Sequence, residues 1–166
     1  RVGTGGTPAT ITLKDTTAST AVDAVVLTAL YPGNRAFTIT VKTSLDDETA
    51  KEATIYEGTK ALEKVTFAAG KTEVDGIVAA FANSKYVKAT KKAPGNGTLA
   101  DITQKAFTTG TNPTVNTAAY GEAANASEAE VRDMIIVDTN DAAVHTLIAT
   151  HVARVFQEGA YTMATV

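Results

Sequence analysis

The sequence predicts an α+β protein. A mostly antiparallel β region with one helix spans residues 21–113, the opening βαβ unit of an α/β domain spans 114–166, and residues 1–20 read as linker. Three observations carry this reading. Up to about residue 108, short runs of alternating apolar and polar residues are separated by turns bearing Gly, Pro or Asn, the period-two pattern of half-buried strands. Beyond Gly110-Thr111-Asn112-Pro113 the chain changes to Ala-rich helical stretches around a short continuous apolar run. Charge shifts at the same place, from 13 basic and 11 acidic side chains over residues 1–115 to 2 and 7 over 116–166.

The elements follow in order. Residues 1–20 are rich in Gly, Thr and Pro, with one short strand candidate at Ala9 to Leu13. Residues 22–31 read as a strand. Tyr31-Pro32-Gly33-Asn34 then forms a turn, because Pro presets φ while Gly and Asn tolerate positive φ. Phe37, Ile39 and Val41 alternate with Thr38, Thr40 and Lys42, a strand with one wet face. Residues 52–57 and 61–68 form a hairpin around Glu57-Gly58-Thr59-Lys60. Val74, Ile77, Val78 and Phe81 recur at helical spacing behind Thr72, a candidate N-cap. Strands follow at Lys85–Thr90 and from about Leu99 to Thr108, around the loop Ala93-Pro94-Gly95-Asn96-Gly97.

In the second region, residues 116–130 are Ala-rich and helical. Met134 to Val137 is an apolar run typical of a parallel strand covered on both faces. Asp138-Thr139-Asn140-Asp141 ends that strand and opens a helix over 142–157, with Val144, Ile148, Val152 and Val155 on one stripe. Gly159 stops the helix and Tyr161 to Val166 is a further strand, completing the βαβ unit.

Composition excludes several classes. A net charge of −3 over 166 residues argues against a general nucleic-acid binder. The absence of Cys removes disulfide scaffolds, thiolate metal sites and Cys nucleophiles, and two His make a histidine-rich centre improbable. No apolar run approaches the roughly 18 residues of a membrane helix. Thr and Ala fill about a third of the chain, which predicts a thin β-rich core beside Ala-rich helices. The chain opens on Arg1 without a signal-like segment and stops at Val166 inside an apolar run, which reads as an internal fragment of a longer protein or its ordered part.

Each chemically suggestive cluster has a structural reading that outweighs it. Asp138 and Asp141 stand where α/β enzymes place Mg²⁺ ligands, yet helix capping and strand termination account for them. His145 and His151 lie six apart, on different faces of their helix. Gly3 to Gly6 and Pro94 to Gly97 lack the following Lys-Ser/Thr of a phosphate loop. Lys85, Lys88, Lys91 and Lys92, with Tyr86, suit an edge strand defended by charge better than a phosphate stripe. Asp46-Asp47-Glu48 lacks the glycine and terminal Glu of a Ca²⁺ loop. A β-rich surface binder is a further alternative, but five Tyr, five Phe and no Trp speak against sugar stacking. No catalytic, cofactor-binding or metal residue is assigned, and a structural or interaction protein is expected.

Several segments, in order, resemble the contractile tail sheath proteins of bacteriophages and of phage-tail-like bacteriocins. They are Leu30-Tyr31-Pro32-Gly33-Asn34-Arg35 with the Phe37 to Val41 strand, Ile55-Tyr56-Glu57-Gly58, and Ser84-Lys85-Tyr86-Val87. Phe107-Thr108-Thr109-Gly110-Thr111-Asn112-Pro113 and Ile135-Ile136-Val137-Asp138-Thr139, with Ala143-Val144-His145 and Glu158-Gly159, complete the set. The resemblance implies a subunit that stacks in hexameric rings around a tail tube and contracts to drive the tube through a target envelope. It is not an enzyme and takes no cofactor in that reading. Its implied partners are neighbouring sheath subunits, the tube protein, the baseplate and the tail terminator, with no nucleic acid and no membrane embedding. Its implied place is the virion tail, after assembly in the host cytoplasm. Residues 21–113 would be an outward β-rich domain inserted ahead of an α/β core that opens at 114–166. The strand-donating arms of such subunits are not among these segments, so no subunit-contact residue is carried over, and the chain is not expected to assemble alone.

Overall fold

The computed structural model describes residues 3–129, 134–159 and 163–165. The chain divides into two units, Gly6–Asn112 and a second made of Arg1–Gly5 with Pro113–Val166. The first unit is therefore an insertion between two stretches of the second.

Gly6–Asn112 holds seven strands and one helix in two sheets. The three-stranded sheet has the order β1 (Thr10–Asp15), β2 (Val22–Ala29), β6 (Val87–Lys91), with both pairings antiparallel. The four-stranded sheet has the order β5 (Lys60–Ala68), β4 (Ala50–Glu57), β3 (Phe37–Thr43), β7 (Ile102–Ala106), antiparallel throughout. Helix α1 (Glu73–Ala80) joins β5 to β6. Ile11, Leu13, Val25 and Leu27 of the first sheet, Ile39, Val41 and Ile55 of the second, and Val74, Ile77 and Phe81 at the helix form one contiguous core. This is the expected α+β class.

Sequence and structure differ in instructive places. The strand candidate at Ala9 to Leu13 is observed as β1, so the linker expected over residues 1–20 holds a sheet strand where that candidate stood. β1 pairs with β2 from Thr10↔Thr28 to Asp15↔Val22 and buries Ile11 and Leu13. Its Thr residues, which read as linker composition, are good strand formers once Ile11 and Leu13 anchor the inner face. The turn at Tyr31-Pro32-Gly33-Asn34 does not close a hairpin: it carries the chain from β2 in one sheet to β3 in the other. The wet face expected on β3 is partly dry. Thr40 is buried, and its Oγ1 accepts the Gln104 N–H at 3.0 Å. Thr72 stands at the start of α1, but its side chain makes no capping hydrogen bond. The strand expected from Leu99 begins at Ile102, and Leu99 instead bridges to Asp15.

The second unit contains α2 (Thr117–Ser127), β8 (Met134–Ile136), α3 (Ala142–Gln157) and β9 (Met163–Thr165). β8 and β9 pair in parallel with α3 between them in sequence, the expected βαβ unit. Asn116 caps α2, its side chain accepting the Ala119 N–H at 2.9 Å. Gly159, at φ 91°, ends α3 in the left-handed region where a side chain is disfavoured. Val144, Ile148 and Ala124 form a small core, flanked by the partly buried Tyr120, Ile135, Leu147 and Val152. The covering expected on both faces of β8 is not found among the described residues. Ile135 packs on the core, while Met134 is 48% and Ile136 is 74% exposed. Of the strand expected over Tyr161 to Val166, Tyr161, Thr162 and Val166 lie outside the described residues.

Candidate functional site

The loop after β8 carries the carboxylates that sequence spacing singles out, and capping engages one of them. Asp141 accepts the Ala143 N–H at 2.8 Å, so its carboxylate closes the exposed amide end of α3. His145 reaches back to the same loop, its Nε2 2.6 Å from the Thr139 carbonyl oxygen, to which it donates. Asp138 is exposed at the carboxyl end of β8, on the rim of a cleft of about 420 Å³ floored by Tyr120, Ala124, Ile135 and Ile148. Among the described residues, no group of three His, Asp or Glu side chains converges as a metal site would require. His151 is buried beside Glu128, Nδ1 to Oε1 3.5 Å, apart from His145 and its Thr139 contact. Arg154 bonds Glu128 as well as Glu158, tying the end of α2 to the end of α3. Both carboxylates hold the guanidinium charge firmly, raising its already high proton affinity.

The other clusters resolve into local structure. β6 is an edge strand, and Lys91 at its end and Lys92 just beyond it are drawn to carboxylates, whereas Lys85 and Lys88 make no ion pair among the described residues. Lys91 Nζ donates to Asp75 at 2.8 Å and to Asn96 at 2.9 Å, and Lys92 Nζ donates to Asp23 at 2.7 Å. Lys92, and after it Lys14, lowers the proton affinity of Asp23. In the acidic loop Asp47 Oδ1 accepts from the Thr49 hydroxyl at 2.6 Å and the Thr49 N–H at 2.8 Å. Those two bonds lower its pKa and make it a turn residue of the β3–β4 hairpin.

Two polar centres escape sequence reasoning, and both are structural. Glu73 is 1% exposed, and its oxygens accept the N–H groups of Gly70 at 2.8 Å and Leu99 at 2.7 Å. Lys51 Nζ lies 3.2 Å from Glu73 and 2.8 Å from Asp101, and donates to the Leu99 carbonyl at 2.7 Å. A buried charge pair is tolerated when its remaining bonds are satisfied, as they are here. The second centre is Asp15. One oxygen accepts from the Thr17 hydroxyl and N–H at 2.6 and 2.8 Å, the other from the N–H groups of Asn96 and Gly97 at 2.9 and 2.8 Å. These bonds, Thr17's foremost, hold the carboxyl far below the usual aspartate range. Local bonds to Thr17 and Gly70 start each centre, but the partners that close it, Asn96 and Gly97 for Asp15 and Leu99 and Lys51 for Glu73, come from distant segments that no sequence spacing signals.

What the second unit presents is apolar surface. Met134, Ile136 and Met163 are exposed on the two-stranded sheet, and Phe156 is exposed on α3. A groove of about 560 Å³ runs along α3, lined by His145, Ala149, Val152, Phe156 and Ala164. Scattered apolar side chains are ordinary, but a cluster on one small parallel sheet marks a surface made to be covered. Among the described residues it offers apolar packing surface rather than convergent donors or acceptors.

The comparisons agree with this structural character. No curated protein matches the chain. Two crystal structures share its fold, the sheath tail protein of Desulfitobacterium hafniense at 20% identity and that of Listeria innocua at 23%, each with a TM-score of 0.63. Each comparison covers 96% of this chain, which spans about a third (34%) of the neighbour's length. Residues 4–112, which include the whole of the two-sheet unit and well over half of the chain, match the model of the phage tail sheath protein beta-sandwich domain, and the chain belongs to that family.

Proposed function

We propose that this chain is part of a structural subunit of a contractile tail sheath. In this reading subunits stack as hexameric rings around a tail tube, assembled in the host cytoplasm and carried on the virion or on a related injection particle. A trigger from the baseplate lets the rings rotate into a better-packed arrangement, and the sheath shortens and drives the tube through the target envelope. The sandwich is the outward domain, and residues 114–166 open the α/β core. Neighbouring subunits, the tube, the baseplate and the tail terminator are the partners. The observation that carries the reading is the family match over residues 4–112.

The architecture suits that task physically. Contraction of this kind stores energy in interfaces, so it needs modules that move as bodies and contacts with two discrete arrangements. A sandwich with one continuous core and buried polar centres bonded on every side is such a body. The apolar face of the β8–β9 sheet is the sort of surface that packs in one arrangement and repacks in another. Negative-stain electron microscopy of the protein expressed in full, alone and together with its tube protein, tests the proposal. Hollow striated cylinders are the expected result. Small monodisperse particles in both preparations, well above micromolar concentration, would overturn it.

A further inference from the structure

The loop Ala93-Pro94-Gly95-Asn96-Gly97 contains an Asn-Gly pair, the dipeptide in which asparagine deamidates most readily. The chemistry is intramolecular. The Gly97 nitrogen attacks Asn96 Cγ, the N–Cγ bond forms, the Cγ–Nδ2 bond breaks, and ammonia leaves carrying the proton from the glycine amide. Water then opens the cyclic imide to an aspartyl or isoaspartyl residue at position 96. Glycine favours this because no side chain hinders the attack. Here the glycine is not free to be exchanged for a safer residue. A Cβ at position 97 would overlap Thr17 Oγ1, so close packing against the β1–β2 connection keeps Gly97 and the liability together.

The structure also shows how the pair is held. Asp15 Oδ2 accepts the N–H of Asn96 at 2.9 Å and that of Gly97 at 2.8 Å, and Gly97 is buried. The attacking nitrogen is thereby directed at a carboxylate rather than at Cγ. The other side of the reaction is pinned as well, because Asn96 Oδ1 accepts from Lys91 Nζ at 2.9 Å. The Asp15 carboxylate is itself fixed by the Thr17 hydroxyl and N–H. It is a weak base as well as a firm acceptor, so it restrains the glycine proton without taking it.

We propose that Asn96-Gly97 is a latent deamidation site and that Asp15 is the positioning residue that holds it shut. The site matters in any long-lived particle that cannot replace its subunits, since a backbone isomerised at 96 would release the loop that Asp15 ties to β1. The test is deamidation at Asn96, followed by peptide mass spectrometry during prolonged incubation at mildly alkaline pH, for the folded protein, the protein in denaturant, and Asp15→Ala. A charge-assisted hydrogen bond that must break before attack slows the reaction by about tenfold or more, so the folded protein should deamidate at least that much more slowly than the unfolded one. Asp15→Ala, shown by its circular dichroism to be folded, should recover most of the difference. Equal rates for the folded and unfolded protein, or a folded Asp15→Ala variant no faster than wild type, would overturn the proposal. If that variant does not fold, hydrogen exchange of the Gly97 amide in the wild type decides. Strong protection supports the clamp, and exchange at the unfolded rate refutes it.

Discussion

Single residues in this protein divide by where their partners lie in the chain. Asp141 and Asp47 bond to groups two residues away, and their capping and turn roles are readable from local spacing. Asp15 and Glu73 bond to backbone groups 82 and 26 residues away, and nothing in the sequence pairs them. Lys51 illustrates the cost of such a long-range arrangement. It lies in β4, just before the residues 52–57 that read as a strand, yet it neutralises a glutamate sealed at the start of α1. Lys51→Met should destabilise the sandwich by about 3 kcal/mol or more, because Glu73 would stay buried without its counter-charge. Urea unfolding measures this, and a loss below about 1 kcal/mol would show that the Gly70 and Leu99 N–H groups satisfy Glu73 without the ammonium.

At the scale of elements, periodicity serves wherever one face is dry and the other wet. The β4–β5 hairpin closes at Gly58-Thr59, with Glu57 opposite Lys60, as the turn chemistry requires. β1 is legible as the Ala9 to Leu13 candidate despite its loop-like surroundings, whereas reading fails where a polar residue on an alternating strand finds an inner partner, as Thr40 does with Gln104. Sheet membership is also invisible locally: the Tyr31–Asn34 turn looks like a hairpin and is a crossing between sheets. Helix α3 is the most legible element: of its expected stripe Val144, Ile148 and Val155 are buried, while Val152 is only partly so and His151 is buried in that face. Its N-cap allows the capping and metal readings to be separated. Asp141→Ala should lower the stability of the second unit by about 1 kcal/mol. Calorimetric titration with Mg²⁺ should give no heat beyond dilution, before or after the substitution. A metal-dependent heat lost in Asp138→Asn would instead restore the enzymatic reading of that loop.

At the scale of the whole molecule the decisive contrast is between a finished core and an unfinished one. The sandwich buries a large contiguous core, including Phe81, Leu27, Ile39 and Ile55, although Tyr31 and Leu45 of its turns stay exposed. The second unit pairs two three-residue strands in parallel and leaves Met134, Ile136 and Met163 in solvent. Sheets of two short strands are marginal in water, and parallel sheets are found with both faces covered. In the proposed assembly this face is therefore packed, whether by the same polypeptide or by a neighbouring copy. Ile136, 74% exposed here, ends β8 and pairs directly with Thr165. Burying an isoleucine there contributes about 1.5–3 kcal/mol, whereas burying a lysine charge costs several kcal/mol. A penalty of that size recurs in every subunit of a helical polymer, so a change tolerable in one copy becomes prohibitive in the assembled array. Ile136→Lys in the protein expressed in full with its tube should abolish cylinder formation in electron micrographs. The sandwich should still unfold at its wild-type midpoint, because it shares no core residue with β8. Cylinders at wild-type abundance would mean that this face stays in solvent throughout assembly, and the apolar sheet would then need another explanation.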